Sequence, residues 1–202
     1  MVGAGGHASV AYEILSENSS NRVSVFDDGP LLKQRHSLGW RIKGGLSELL
    51  STAHMYDEVF VAIGDNRVRQ RICEKLLRSG LHLATLVHPS AQVSNSARLS
   101  PGVIVMAGCI IQSNVRVGVG SVINTGSVVD HDGSLGAYSH VGPGAVLTGA
   151  VNIGELCFVG AGSTILPGIE LGDEAVIGAG SVVTKNVMSK QTFVMNRGTP
   201  AN

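Results

Sequence analysis

The sequence predicts an α/β half of a dinucleotide-binding fold at residues 1–86 and a parallel β-helix at residues 87–188. Three observations carry this. An aliphatic residue recurs every sixth position from Val87 to Val183 without a break. A Gly-rich turn, Gly3-Ala4-Gly5-Gly6-His7-Ala8, opens the chain, and an acid follows it about 20 residues on. Asp, Glu, Lys and Arg number 19 in residues 1–86 but only 9 in the longer stretch 87–188, so two regions with different rules meet near His88-Pro89.

In the first region the Gly-rich turn opens a helix to about Glu17, and Arg22 to Phe26 forms a short strand ending in Asp27-Asp28. Glu58 to Ile63 reads as a buried strand and Asn66 to Arg78 as an amphipathic helix. A strand normally precedes such a Gly-rich turn, yet only Met1-Val2 stands there, so that strand is mostly missing or the chain starts upstream.

In the second region all seventeen residues of the series Val87, Val93, Leu99 to Val183 are aliphatic, and a small or compact residue, such as Ala91, Val103, Cys109, Ser127 or Ala145, recurs four places after them. Gly or Asn recurs at the third place, as at Gly102, Asn114, Gly126 and Gly168. A period of six fits neither a helix nor a long alternating strand. It fits two-residue strands joined by tight turns, with Gly or Asn wherever φ is positive and the aliphatics stacked inside. Residues 189–202 then leave the repeat as a C-terminal tail.

Composition narrows the function. The 202 residues carry no net charge and a pI near 7.1, whereas a chain that grips a phosphate backbone shows a basic excess or stripe. Nucleic acid is excluded as a first reading. Cys73, Cys109 and Cys157 have neither disulfide-framework nor zinc spacing, no run approaches a membrane span, and the N-terminus lacks a signal peptide, so a cytoplasmic protein is expected. The histidines form no ligand cluster and no metal is expected.

Two motifs carry chemistry. The Gly3-to-Ala8 turn with Asp27 has the outline of a phosphate-binding loop at a helix N-terminus with an acid for a ribose hydroxyl. With only 86 residues before the solenoid, a mononucleotide or UDP-linked ligand fits better than NAD, and a merely structural turn stays open. The hexad Val129-Asp130-His131-Asp132-Gly133-Ser134 places a histidine between carboxylates, which fixes a tautomer and raises its basicity for general-base work. A solvated polar turn is the alternative. His140 follows His131 by nine residues, half an 18-residue coil, so the two leave opposite sides of one prism and share a site only across an interface between subunits. An exposed turn residue stays open for His140.

These residues together, with Ala62-Ile63-Gly64-Asp65-Asn66, His88-Pro89, Asn124-Thr125 and the unbroken hexads, resemble the sugar O/N-acetyltransferase family of hexapeptide-repeat acyltransferases. That family includes the UDP-4-amino-sugar N-acetyltransferases of the bacillosamine pathway and the sialic acid O-acetyltransferases. The resemblance implies a left-handed β-helix, a homotrimer, acetyl-CoA as co-substrate and direct transfer without an acyl-enzyme. It implies His131 as general base and Asp132 as its orienting acid. His140, Gly149, Ala161 and Ala179 would line the acetyl-CoA groove. Gly5, Gly6, His7, Asp27, Asp28 and Gly64 would hold the nucleotide-sugar, with Asn124 beside the base. N-acetylation of a UDP-4-amino sugar is the expected activity, with sialic acid O-acetylation and a trimeric nucleotide-sensing module as alternatives. The closing Gly198-Thr199-Pro200-Ala201 follows an atypical Met195-Asn196-Arg197, which departs from the family pattern near the CoA end.

Overall fold

The computed structural model describes residues 1–17, 22–29 and 39–195. In the first region α1 (Gly6–Glu17), β1 (Val25–Phe26), β2 (Ile42–Gly44), α2 (Leu46–Ser51), β3 (Glu58–Val59), α3 (Asn66–Arg78) and β4 (His82–Leu83) follow one another. Each expected strand is shorter than the sequence implied, but the helices lie where their signals put them. Asp65 caps helix α3 with its carboxylate, which accepts the Val68 N–H at 2.8 Å, and the helix's apolar side buries Cys73 and Leu76.

Met1-Val2 lies at the centre of the sheet, where Val2 forms isolated bridges. Val2 bridges Phe26 on one side and Val61 on the other, both in parallel, so the order is β2, β1, Val2, the segment of β3 and Val61, then β4. The chain runs to one side through β1 and β2 and then crosses to the other. The crevice at that reversal, between Gly3 and Ala62, is where such sheets bind ligands. Gly3 sits in it at φ 112°, where a Cβ would stand 2.6 Å from the Ala62 carbonyl oxygen.

From Leu86 the chain winds into the β-helix. Strands 18 residues apart pair in register, as Leu86 with Ile104, Ile104 with Val122 and Val122 with His140. The first face runs from Leu86–Val87 to Val176–Ile177, the second from Gln92–Val93 to Val182–Val183, and the third from Arg98–Leu99 to Glu170–Leu171. The inward aliphatics from Val105 to Val183 are all buried, whereas Val87, Val93 and Leu99 line the open first coil and are less so. Small residues fill the corners: Ser121, Ser139 and Ser163 are buried and donate to the carbonyls of Gly136, Gly154 and Gly178.

Coiling continues past residue 188. Val187 bridges Leu171, and strand Thr192–Phe193 pairs with Val176–Ile177 on the first face. These partners are 16 residues apart, so the last coil is two residues short and drops out of the six-residue phase. The segment past residue 188 thus still coils but no longer follows the repeat, and residues 196–202 lie outside the described residues. Among the described residues no helix is long and apolar enough to cross a membrane.

The outward residues give the three faces different surroundings. On the first, Leu86, Ile104 and Val122 join one apolar cluster with Ala8, Ala11 and Ile14 of α1. On the third they are Arg98, Arg116, Ser134, Asn152 and Glu170, a polar surface. On the second they include Ile110, Val128, Val146 and Val182, apolar and half-buried or exposed in the single chain.

Candidate active site

One corner of the prism, between the second and third faces, carries the Asp-His-Asp hexad. Asp132 takes the left-handed turn position at φ 59° and stacks on Asn114, at φ 63°, one coil earlier. Its Oδ2 lies 2.9 Å from His131 Nδ1, and its Oδ1 accepts from Asn114 Nδ2 at 3.0 Å. Asp130 Oδ1 accepts the His131 backbone N–H at 2.8 Å. The bond to Asp132, then the charge of Asp130, raise the His131 pKa, while His131 and Asn114 hold that of Asp132 below the usual carboxylate range. With Nδ1 bound to the acid, the proton sits there and Nε2 is left as the base. Nε2 lies against Gly149, one coil later, so closely that a Cβ there would be 2.7 Å away. The Gly149 N–H makes no hydrogen bond among the described residues.

A second constellation lies where α1 and the start of α3 meet the first face. A Cβ on Gly5, Gly6 or Gly64 would meet nothing within 4 Å, and none of the three has a left-handed φ. Neither packing nor backbone shape asks for glycine there, and the backbone at the N-terminus of α1 is left open to close approach. His7 and His140 face each other behind this loop with ring centroids 6.4 Å apart, and Phe158 meets His140 edge-on at 5.3 Å. Burial, reinforced by the cation of Arg69, lowers both histidines to about 4, so both are neutral. The Thr125 N–H donates to Asn124 Oδ1, which turns Asn124 Nδ2 towards His140 Nε2 at 3.1 Å. Nε2 is therefore the acceptor and Nδ1 carries the proton. His140 Nδ1 and His7 Nε2 are both buried and make no hydrogen bond of good geometry, the Gly64 backbone being the group that approaches His140.

Ala161 and Ala179 lie exposed one coil apart on the corner between the first and second faces, and the Gly180 N–H donates to the Ala161 carbonyl. Asn124 begins the same corner. The second face thus separates this corner from the one that bears His131 and Gly149.

Comparison with known proteins decides the family. Residues 1–76 match the profile described as PglD N-terminal domain, and residues 150–185 match the hexapeptide repeat of succinyl-transferase. Perosamine N-acetyltransferase of Caulobacter crescentus, crystallised with CoA and GDP-perosamine, is 38% identical over 97% of this chain and 92% of its own, with a TM-score of 0.91. The chain belongs to the sugar O/N-acetyltransferase family. The acetyltransferase domain of PglB from Neisseria gonorrhoeae, in complex with acetyl coenzyme A, is 32% identical over 99% of this chain and 97% of its own at a TM-score of 0.89. A UDP-N-acetylbacillosamine N-acetyltransferase of Bacillus subtilis is 34% identical over 109 residues, which is 53% of this chain and 50% of that protein. The alignment thus spans half of that curated relative. The shared architecture is the α/β half-domain with a left-handed β-helix.

Measured against the family pattern, the chain brings some expected site residues together and keeps others apart. His131, Asp132 and Gly149 form one cluster; Gly5, Gly6, His7, Gly64, Asn124 and His140 form another. Asn124 stands with His140 and not, within one chain, with His131. His140 is not an exposed turn residue: it is an outward strand residue, 9% exposed because the half-domain covers it. Asp27 and Asp28 each use one oxygen locally, Asp27 on the Gly29 N–H and Asp28 on the Leu46 N–H at the start of α2. Cys109 and Cys157 are buried with thiol pKa values raised by burial, and neither is placed to act as a nucleophile. Among the described residues no group of three metal-binding side chains converges. The sequence reading missed Asn114, although it lies one coil, 18 residues, before Asp132 and coil spacing alone pairs them. It also missed Arg69 and Phe158, whose positions depend on how the half-domain docks.

Proposed function

We propose that this chain transfers the acetyl group of acetyl-CoA to the amine of a nucleotide-linked amino sugar, with His131 as general base. The observation that carries the reading is the Asn114–Asp132–His131 line, which leaves Nε2 free at a prism corner beside the unpaired Gly149 N–H. His131 Nε2 takes a proton from the acceptor amine as its nitrogen attacks the thioester carbonyl. The Gly149 N–H steadies the oxyanion of the tetrahedral intermediate, which collapses by breaking the C–S bond, and the thiolate leaves with a proton. The acceptor's nucleotide would lie on the open glycines at the N-terminus of α1, with Asp27 and Asp28 at its ribose side. Its sugar would reach towards His7, His140 and Asn124.

The acetyl-CoA groove would combine Ala161 and Ala179 of one subunit with His131 and Gly149 of the next. Two corners flanking one face of a prism meet only when prisms pack side by side, and three such prisms close on themselves. The second face supports this, since its outward Ile110, Val128, Val146 and Val182 are apolar while the third face is polar and the first is covered. We place the reaction in the cytoplasm, where acetyl-CoA and nucleotide sugars are both at hand. The test is CoA release from acetyl-CoA over a panel of UDP-4-amino sugars, GDP-perosamine, CMP-sialic acid and free sialic acid, with mass by light scattering. Turnover of an amino-sugar nucleotide by a trimer is expected. Turnover confined to the sialic acids, or a fully active monomer, overturns the reading.

A further inference from the structure

Among the described residues Arg69 is the largest side chain that is buried completely, at 1% exposure, and no carboxylate forms an ion pair with it. It lies in the first turn of α3, where the helix runs along a rail of left-handed turn residues stacked 18 apart: Gly120, Tyr138, Leu156 and Glu174. The helix start grips that rail at each step. Asn66 Nδ2 donates to the carbonyls of Leu156 and Cys157, and Arg67 pairs with Glu174. Arg69 does more than its neighbours, for it uses all five of its N–H donors. Nε and Nη2 donate to the Gly120 and Tyr138 carbonyls of the solenoid at 2.7 and 2.8 Å. Nη1 donates to the carbonyls of Ile63 and Gly64, at 2.9 and 3.0 Å, and Nη2 also to Asn66 Oδ1 at 2.7 Å. One planar group thus fixes the Ile63–Asn66 loop, one wall of the crevice, against the coil that leads two residues later to His140.

We propose that Arg69 is a positioning residue of the acceptor pocket, setting the Gly64 loop and His7 at a fixed height over His140. The proposal rests on the acetyl-transfer reading given above. A staple that only joined two parts of a protein would be cheaper as a neutral group, because a buried guanidinium that Asp65 reaches only from beyond ion-pair distance keeps its charge in a poorly solvated place. That charge has a use here. His7 faces Arg69 and His140; His140 faces Arg69, His7, Phe158 and the Gly64 backbone; Arg69 itself faces Asp65, Cys73 and Tyr138. The cation opposes protonation of both imidazoles and leaves them as neutral hydrogen-bonding groups for an uncharged part of the acceptor, while its field favours the acceptor's diphosphate.

The test compares Arg69→Met and Arg69→Lys with the parent trimer in two readouts: the KM values for acceptor and for acetyl-CoA, and the titration of the His7 and His140 imidazoles by NMR. For Arg69→Met the acceptor KM should rise about 100-fold and the acetyl-CoA KM less than about twofold, and both imidazoles should titrate at higher pH than in the parent. Arg69→Lys keeps the charge but cannot span five acceptors, so the acceptor KM should rise about tenfold while the imidazoles stay low. Should Arg69→Met fail to fold, the lysine variant decides. An unchanged acceptor KM in a folded variant, an equal rise in both KM values, or imidazoles that titrate as in the parent after Arg69→Met would overturn the proposal. If the parent acetylates no nucleotide amino sugar, the function reading fails by itself; the imidazole titrations then still support or overturn the placement of Arg69.

Discussion

Gly149→Ala should separate catalysis from stability. A Cβ built on Gly149 would stand 2.7 Å from His131 Nε2 and 2.8 Å from Cε1, where ordinary van der Waals contact begins near 3.4 Å. The backbone at Gly149 is not left-handed, so the added methyl is not itself strained. Relief comes from the imidazole, whose side chain is 60% exposed and free to swing. The ring must retreat by roughly 0.7 to 1 Å, and a displacement of that size at a reacting atom costs on the order of 10²-fold in rate. The retreat also strains the 2.9 Å bond from Nδ1 to Asp132, removing the first cause of the raised His131 pKa. We therefore expect kcat to fall about 100-fold and the acid limb of the rate profile to move to lower pH, with the melting temperature within about 2 °C of the parent. The assay is CoA thiol release over pH 5.5 to 9, run beside thermal unfolding and acetyl-CoA binding by calorimetry. A kcat within threefold of the parent, or a loss found wholly in acetyl-CoA affinity, would refute the reasoning, for then the methyl has not displaced the base.

Other outcomes follow from the same geometry. His131→Ala should lower kcat by ~10² to 10⁴ with acetyl-CoA affinity kept, and Asp132→Asn should cost less. A base works deprotonated, so the acid limb should lie above the ordinary histidine value and fall when Asp132→Asn removes the acid; a limb that stays put would count against the dyad. Mixing His131→Ala with His140→Ala subunits should restore part of the activity if the two constellations meet across an interface, and no recovery after exchange would argue that they do not. Replacing Asp27 and Asp28 with Asn should raise the KM for the sugar nucleotide and spare that for acetyl-CoA; equal rises would join the two sites. The strands of the half-domain are two or three residues long, so amide protection in residues 1–86 should fall below that of the stacked coils, and equal protection throughout would disprove it.

What the sequence made legible depends on how many residues separate the partners. Inside the solenoid every contact between coils is a fixed offset, and the inward series from Val105 to Val183 could be listed from the period alone. The same offset holds for polar groups, so the Asn114 amide on Asp132, 18 residues on, was within reach of arithmetic. The period failed only where the chain drops two residues, at Val187 and Phe193. The pocket obeys no offset. His140 is an outward strand residue like Arg116 or Val128, and what separates a buried histidine from an exposed one is whether α1 and α3 lie above it. Arg69 sits among Arg67, Arg71 and Lys75 on a helix that reads as a solvated basic surface, yet its guanidinium is the one the solenoid carbonyls enclose. No local pattern distinguishes it from its neighbours; the carbonyls that hold it belong to turns 51 and 69 residues away. Groups borne by a repeat can thus be read from the repeat, whereas those that the half-domain buries are settled by docking two folds.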